Sequence, residues 1–235
     1  MASIFKFKQF EVDQGDCAMK INTDGVILGA SAFHYDAQRI LDVGTGTGVI
    51  ALMLAQRHPA AFVDAVEIDQ GASAQAGYNF QRSRFSGRLR SINSAFQELQ
   101  PEECYDLIVS NPPFYTNSLH NPDPRKKLAK HADELFFESL LDFVGKYLSP
   151  DGKFQCILPG SLADLMVRQM LPGRELYLEH DLSISSYMGE TPIRNLLSIG
   201  KIPSKSLQDE LQIYESRGEH TAAYKSLLKP YFLAF

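Results

Sequence analysis

Leu41-Asp42-Val43-Gly44-Thr45-Gly46-Thr47-Gly48 is the stretch from which the fold can be read. An apolar run, Ile40 to Val43, precedes it and reads as a buried strand. Val49 to Arg57 follows, with Val49, Leu52 and Met53 on one helical face. Three glycines in five residues let the backbone turn tightly between strand and helix and come close to a ligand. Outward from this point, strand-length apolar runs alternate with amphipathic stretches. Phe62 to Ile68 reads as a strand, Ala72 to Gln81 as a helix, and Leu89 to Ile92 and Tyr105 to Ser110 as strands. Ala132 to Tyr147 is a helix that ends in the turn Ser149-Pro150-Asp151-Gly152. Lys153 to Leu158 is a strand and Ser161 to Met170 a helix. Such alternation predicts parallel strands joined by right-handed crossovers, with helices on both faces. Glu175 to Ile184 and Ile193 to Lys201 are two further strands, placed as an antiparallel pair at the sheet edge. His220 to Leu228 is a short terminal helix.

The glycine spacing bears on the ligand. A dinucleotide site requires G-x-G-x-x-G, with a pyrophosphate on the helix N-terminus. Here the spacing is G-x-G-x-G, and Asp42 stands just before it. A carboxylate there repels a pyrophosphate and attracts an ammonium. S-adenosylmethionine carries an ammonium and a sulfonium and no phosphate, so a methyltransferase is favoured over a dehydrogenase. Glu67 closes the next strand, where a carboxylate can accept from both ribose hydroxyls, and Ile68 is placed to pack on the adenine.

Asn111-Pro112-Pro113-Phe114 follows the Tyr105 to Ser110 strand. Two prolines stop the strand and stiffen the backbone. The Asn111 side-chain oxygen and the Pro112 carbonyl can each accept one hydrogen of an exocyclic amine. That grip aims the nitrogen lone pair and stabilises the positive charge that builds during transfer. Phe114 can stack on a flat ring. With a sulfonium as leaving group, alignment supplies much of the acceleration.

Composition narrows the classes. The chain has 235 residues and 44% hydrophobic content, which suits one α/β domain. The longest apolar runs, such as Ile50 to Ala55, are far too short to span a bilayer. The start alternates Phe5, Lys6, Phe7 and Lys8 and does not resemble a signal peptide, so a cytoplasmic location is expected. Three scattered cysteines, Cys17, Cys104 and Cys156, and six histidines without ligand spacing suggest neither disulfide nor metal. A net charge of −5 argues against a broad phosphate-binding surface. It leaves room for a local basic patch, since screening confines electrostatics to about 8–10 Å. Arg125, Lys126, Lys127 and Lys130, just after the proposed target pocket, are the residues expected to read RNA phosphate. Arg82, Arg84, Arg88 and Arg90 form a second basic stretch, read as solvated surface.

With these motifs on the page, the chain resembles the class I methyltransferases that act on amines. Phe7-Lys8-Gln9-Phe10, Ala18-Met19-Lys20 leading into Thr23-Asp24-Gly25, and Tyr224 through Tyr231-Phe232-Leu233 are similar to the bacterial tRNA(Val) adenine-N6 methyltransferases. The resemblance covers nearly the whole chain. It implies a Rossmann-like fold with a seven-stranded, mostly parallel sheet and an antiparallel edge hairpin. S-adenosylmethionine would be the donor and the anticodon stem-loop of tRNA the partner, with adenosine 37 as target and the chain acting as a monomer. Residues 1–38 would form an extension covering the cofactor site, ahead of a methyltransferase domain over 39–235. Lys20, Thr23, Asp24 and Gly25 would lie at the methionine end of the cofactor, with Asp42, Gly44, Gly46 and Gly48 at the ammonium and Glu67 and Ile68 at the ribose and adenine. Such enzymes often place an acid after the third strand. Here Ala95 stands near that place, so Ser94, backbone or water would meet the cofactor's adenine amine, and Phe96 would pack on its ring. The alternatives are methylation of a release-factor glutamine, of rRNA guanine-N2 or of DNA adenine, and a non-catalytic RNA-binding module. The first and third generally need a further substrate domain, for which there is little room.

Overall fold

Among the described residues, twelve strands and six α-helices follow one another. In order they are β1 (Ile4–Lys6), β2 (Glu11–Asp13), α1 (Thr23–Ser31), β3 (Arg39–Val43), α2 (Val49–Arg57), β4 (Phe62–Glu67), α3 (Gln70–Arg82), β5 (Leu89–Asn93), β6 (Tyr105–Ser110), α4 (Pro124–Tyr147), β7 (Leu148–Leu158), α5 (Gly160–Leu165), β8 (Tyr177–Ser185), β9 (Arg194–Gly200), β10 (Leu207–Gln212), β11 (Tyr214–Ser216), β12 (Glu219–His220) and α6 (Ala222–Leu228). This computed structural model describes residues 4–15, 20–112 and 124–235, and over 124–133 the helical backbone alone.

The main sheet has the order β10-β8-β9-β7-β6-β3-β4-β5. β3 pairs in parallel with β4 and β6, β4 with β5, and β6 with β7. β9 runs antiparallel to both β7 and β8. The chain thus has the Rossmann-like class I arrangement with an antiparallel edge hairpin. The main sheet, among the described residues, has eight strands where seven are expected. The additional one, β10, pairs in parallel with β8. Its sequence, LQDELQ, buries only Leu211 and carries no continuous apolar run. Its strand character comes from the neighbour it joins and not from its own patterning.

Alternate residues of the central strands feed two cores. Ile40, Val63, Ala65, Leu107 and Val109 face a cluster with α1, α2, α6 and the Ala76–Phe80 side of α3. Leu41, Val43, Val66, Ile108 and Cys156 face a second cluster with α4 and α5. Helix α2 departs from the expected one-sided pattern: every residue from Val49 to Ala55 is buried. It is enclosed because α1 and the residues before it lie over its outer side. The helix expected over Ser161 to Met170 is α5 plus a π-helical turn at Met166–Met170. The long helix α4 begins eight residues earlier than the periodicity predicts.

The residues ahead of β3 are woven into the first core. Phe7, Phe10 and Val12 are buried, and Phe7 stacks on Phe10 with ring centroids 4.5 Å apart. Lys8 Nζ donates to the carbonyls of Lys229 and Phe235 at 2.6 and 2.7 Å. Asp13 and Asn79 exchange two hydrogen bonds, Asp13 N to Asn79 Oδ1 at 3.0 Å and Asn79 Nδ2 to Asp13 O at 2.9 Å. No helix among the described residues is long and apolar enough to cross a membrane.

Candidate active site

The C-terminal ends of β3, β4 and β6 meet at the glycine loop. Gly44 N and Thr45 N donate to Val66 O, at 2.9 and 3.2 Å. Ser110 Oγ donates to Val43 O at 3.0 Å, lacing β6 to β3 just before Asn111. Gly44, Gly46 and Gly48 have φ of 75°, 55° and 82°, a region that favours glycine. Gly48 also needs its missing side chain: a Cβ there would stand 2.5 Å from Phe80 Cε1, so α2 and α3 could not pack as closely. Above Gly44 a Cβ would meet nothing within 4 Å among the described residues. Among them, open space therefore lies over the first glycine and a packed wall over the third.

Two carboxylates flank this loop. Glu67 Oε2 accepts from Gly46 N and its Oε1 from Asp69 N, both at 3.0 Å, which fixes the side chain across the loop. Asp42 is wholly buried. Its Oδ2 accepts from Thr45 Oγ1 at 2.6 Å, while Oδ1 has no hydrogen-bond partner among the described residues. Burial pushes its carboxyl up to about 7, against the smaller pulls of the Thr45 hydroxyl and the Ala51 backbone. An orphaned carboxylate oxygen in a dry site is costly, and a cationic group is the partner that relieves it.

The helix α1 closes the site from the N-terminal side. Asn22 caps it, with Oδ1 accepting from Gly25 N at 2.8 Å. A Cβ on Gly25 would lie 3.5 Å from Asn111 Nδ2 and 3.9 Å from Ile50 Cδ1. The first turn of α1 thus stands against the Asn111 amide. Asp24 Oδ2 accepts from Arg194 Nε at 2.7 Å, tying the same turn to the start of β9. Pro112 is buried behind Asn111. Thr23 and Lys20 are exposed. Pro113 and Phe114, expected to complete the catalytic segment, lie outside the described residues.

On the other flank, Ile68 is 74% exposed beside Glu67, an apolar surface with no protein partner large enough to cover it. Phe96 is turned inward. It packs edge-on against Phe136 and Phe143, with centroids 5.5 and 5.7 Å away. Ser94 Oγ lies within donating distance of Ala95 O at 3.0 Å and Glu98 Oε2 at 3.2 Å. An acid does approach this stretch, and it is Glu98, three residues past Ala95. The short 3-10 turn Phe96–Glu98 brings it back, which a search at the usual position misses.

Arg125, Lys126, Lys127 and Lys130 fall on the first two turns of α4. The second basic stretch is not all solvated. Arg88 donates to Ala55 O, His58 O and Ala61 O at 2.7–2.9 Å, closing the end of α2, and Arg90 makes a two-pronged pair with Asp64 at 2.8 and 2.9 Å. Arg82 lies over the Tyr78 ring. Arg194, absent from the sequence expectations, reaches the site from residue 194 to residue 24, a separation that no local motif reveals. A cavity of about 730 Å³ lies at the opposite end of the sheet, beside Arg39, Arg90 and Tyr105. Its arginines are paired with Glu103 and Asp64. Among the described residues, no group of three or more His, Cys, Asp or Glu could hold a metal ion.

Comparison with known proteins agrees with this arrangement. The methyltransferase small domain family matches residues 23–154. A tRNA1(Val) (adenine(37)-N6)-methyltransferase from Pedobacter heparinus is 50% identical over 235 residues, all of this chain and all of that protein. The protein of the same name from Bacteroides thetaiotaomicron is 40% identical over 230 residues, 97% of each chain. Among solved structures, a predicted O-methyltransferase from Agrobacterium tumefaciens shares the fold, with a TM-score of 0.64 at 18% identity over 87% of this chain and 95% of that one. From the glycine loop, the strand order and full-length identity of this degree, the chain belongs to the bacterial tRNA1(Val) (adenine(37)-N6)-methyltransferase family, built on a methyltransferase small domain.

Proposed function

We propose that this chain transfers a methyl group from S-adenosylmethionine to N6 of adenosine 37 in tRNA(Val), in the cytoplasm and as a monomer. The observation that carries the reading is the adjacency of Asn111 to the glycine loop, through the Ser110–Val43 hydrogen bond. One residue beyond that bond, on each strand, lie the group suited to grip an amine and the loop suited to hold the donor.

The residues fit the donor. Asp42, whose Oδ1 has no partner among the described residues, and the space that those residues leave open at Gly44 suit an ammonium-bearing end, with Lys20, Thr23, Asp24 and Gly25 closing over it. Glu67 keeps lone pairs for a ribose diol, and exposed Ile68 offers an apolar face to the adenine. Residues 1–38 act as cover to the 39–235 domain, supported by the contacts of Gly25 and Asp24. Phe96, engaged by Phe136 and Phe143, serves from beneath as support for the adenine pocket.

The donor, when bound, supplies a sulfonium-borne methyl that needs no further activation. Asn111 does the aligning. With its Nδ2 toward Gly25, its Oδ1 is the end left to accept one hydrogen of the target amine, and the Pro112 carbonyl accepts the other. Those two acceptors orient the nitrogen lone pair and stabilise the developing ammonium. Pro113 and Phe114, which lie outside the described residues, are proposed for the remaining roles: a proline that stiffens the backbone after Pro112 and a ring for the target base. No strong base is required, since the nitrogen becomes acidic once it carries the methyl.

The test is transfer of radiolabelled methyl to tRNA, rRNA, DNA and release factor in parallel, followed by nucleoside mapping. Label confined to N6-methyladenosine at position 37 of tRNA(Val) is expected. Label on a release-factor glutamine, or in no RNA, overturns the reading. Asn111→Ala should lower turnover at least about 100-fold while S-adenosylhomocysteine binding is kept.

A further inference from the structure

The first turn of α1 is the element that faces Asn111, and its own sequence fixes it only in part. Further along, packing settles the helix. Gly25 to Ala30 are all buried, and a Cβ on Gly29 would stand 2.8 Å from Met53 Sδ, so the backbone lies directly on α2. At the start, Asn22 and Thr23 are exposed. The Asn22 cap accepts from Gly25 N and so ties the turn to itself. A cap of that kind fixes the shape of a turn and leaves its tilt to whatever else holds it.

Arg194 supplies that hold from the sheet. β9 is antiparallel to β7, with Asn195 opposite Leu158, so its start lies at the same end as the finish of β6 and Asn111. Arg194 itself stands opposite Ile184 on β8, which pairs β9 on both sides at this point. Ile193 N donates to Ile184 O at 2.7 Å, and Asn195 Nδ2 donates to Asp181 Oδ1 at 2.8 Å. The guanidinium is committed. Its Nη1 donates to Ile193 O at 2.7 Å, which folds it back on its own strand, and its Nε donates to Asp24 Oδ2 at 2.7 Å. The two side chains are 31% and 21% exposed, so water screens the pair only in part. A rigid, planar cation pinned to its own strand carries the position of the sheet to the carboxylate it holds.

We infer that Arg194 and Asp24 are a positioning pair for methyl transfer: the sheet holds Asp24 through Arg194, Asp24 sets the tilt of the first turn of α1, and Gly25 on that turn sets the Asn111 amide. The inference rests on the reading of Asn111 as the group that grips the target amine, and deepens it by naming what keeps that grip aimed. A Cβ on Gly25 would lie 3.4 Å from Asn22 Oδ1 and 3.5 Å from Asn111 Nδ2. The cap oxygen and the amide nitrogen, an acceptor and a donor, thus face the same small space. While the turn keeps its tilt, Nδ2 stays on that side and Oδ1 is turned to the target amine. Once the turn rocks away the space widens, and the amide is free to rotate and meet the amine donor to donor. A displacement of about 1 Å in such a group costs up to about 100-fold in rate. Arg194 meets none of the reacting atoms, so its loss falls on kcat.

The experiment uses the full chain and an anticodon stem-loop RNA. Arg194→Gln should lower kcat about tenfold, with KM for RNA and S-adenosylhomocysteine affinity each kept within about threefold. Arg194→Lys, which leaves a cation at Asp24, should recover most of kcat. Asp24→Asn should match Arg194→Gln in kcat, and the double variant should be no slower than either, because both break one link. Should Arg194→Gln fail to fold, Asp24→Asn, of nearly the same shape as the native residue, carries the test. In the ligand-free protein the side-chain NH2 resonances of Asn111, identified by their loss in Asn111→Ala, should shift in Arg194→Gln and return in Arg194→Lys. If the wild type methylates the RNA and Arg194→Gln matches it in kcat with those resonances unmoved, this inference falls and the tRNA reading stands. A loss confined to KM for RNA or to S-adenosylhomocysteine affinity gives the pair to substrate or donor binding and overturns it as well. If the wild type methylates no RNA, both fall.

Discussion

Gly25 and Asn111 face each other across the active site with room for one carbon between them: a methyl group on the first would stand 3.5 Å from the amide nitrogen of the second. That distance is ordinary contact, and one carbon more is not. Gly25→Ala is therefore expected to keep turnover within about twofold and to stabilise α1 by roughly 0.5–1 kcal/mol, the usual gain for alanine over glycine in a helix. Gly25→Val adds two branches that must push the Asn111 amide aside. A loss of kcat above about tenfold is expected. Equal kcat values in the two variants would show that α1 does not set the position of Asn111.

Asp42 makes stability and donor affinity run in opposite directions with pH. Its carboxyl lies at about 7 in the fold against 3.8 when free, so the folded state holds the proton more tightly over that range. This contribution is fully present below pH 4 and is lost as pH rises toward 7. A cationic ligand needs the ionised form, so donor affinity should fall up to about tenfold per pH unit below 7. Asp42→Asn should abolish both trends. Calorimetric titration of S-adenosylhomocysteine from pH 5.5 to 8 checks this, and a flat profile in the wild type would refute it.

His58 contributes the opposite pH trend in stability. It is buried against Phe33, its Nε2 has no hydrogen-bond partner among the described residues, and burial pushes its imidazole down to about 4 from 6.5, with the neighbouring Arg57 charge adding to the effect. Between those values the unfolded chain takes up a proton that the fold refuses. Stability is thus lost as pH falls from 6.5 toward 4, by on the order of 1 kcal/mol at pH 5.5. His58→Phe keeps a ring against Phe33 and cannot titrate. Urea midpoints should lose this acid dependence in the variant, and an unchanged slope between pH 7 and 5.5 would contradict the assignment.

Arg88 and the α4 cluster should separate cleanly. Arg88 closes the carbonyls at the end of α2, and replacing it with alanine leaves three acceptors short of a donor. A loss of roughly 2–4 kcal/mol in stability is expected, with no change in the salt dependence of tRNA binding. Neutralising Arg125, Lys126, Lys127 and Lys130 together should do the reverse: stability is kept while tRNA binding weakens and its salt slope flattens. Denaturant melts and a salt series on both proteins decide it.

What could be read from the chain was whatever is encoded locally. The glycine loop, Glu67 and the Asn111 segment are each fixed by a few consecutive residues, and strands β3, β4, β6 and the second half of β7 announce themselves through burial on both faces. The misses share a cause in long-range pairing. Strand β10 is polar and becomes a strand only beside β8. Arg88 looks like one of four surface arginines until the end of α2 is folded against it. Arg194 acquires a place in the site only when β9 turns back along β7, 170 positions from Asp24. Phe96 packs edge-on against Phe136 and Phe143 because α4 crosses there, a neighbour that the residues around position 96 do not announce.

The additional strand has a consequence for how these molecules behave in a crowd. A sheet whose last strand bares its backbone invites a neighbour to add to it, and that is the route to fibres and precipitates. β10 ends the sheet with Asp209 and Glu210 exposed along its length, and with Asp209 held by His180. A second molecule approaching edge to edge would bring the same two carboxylates against them. Extending the sheet by one acidic strand thus lets the protein leave that border open to water without becoming adhesive.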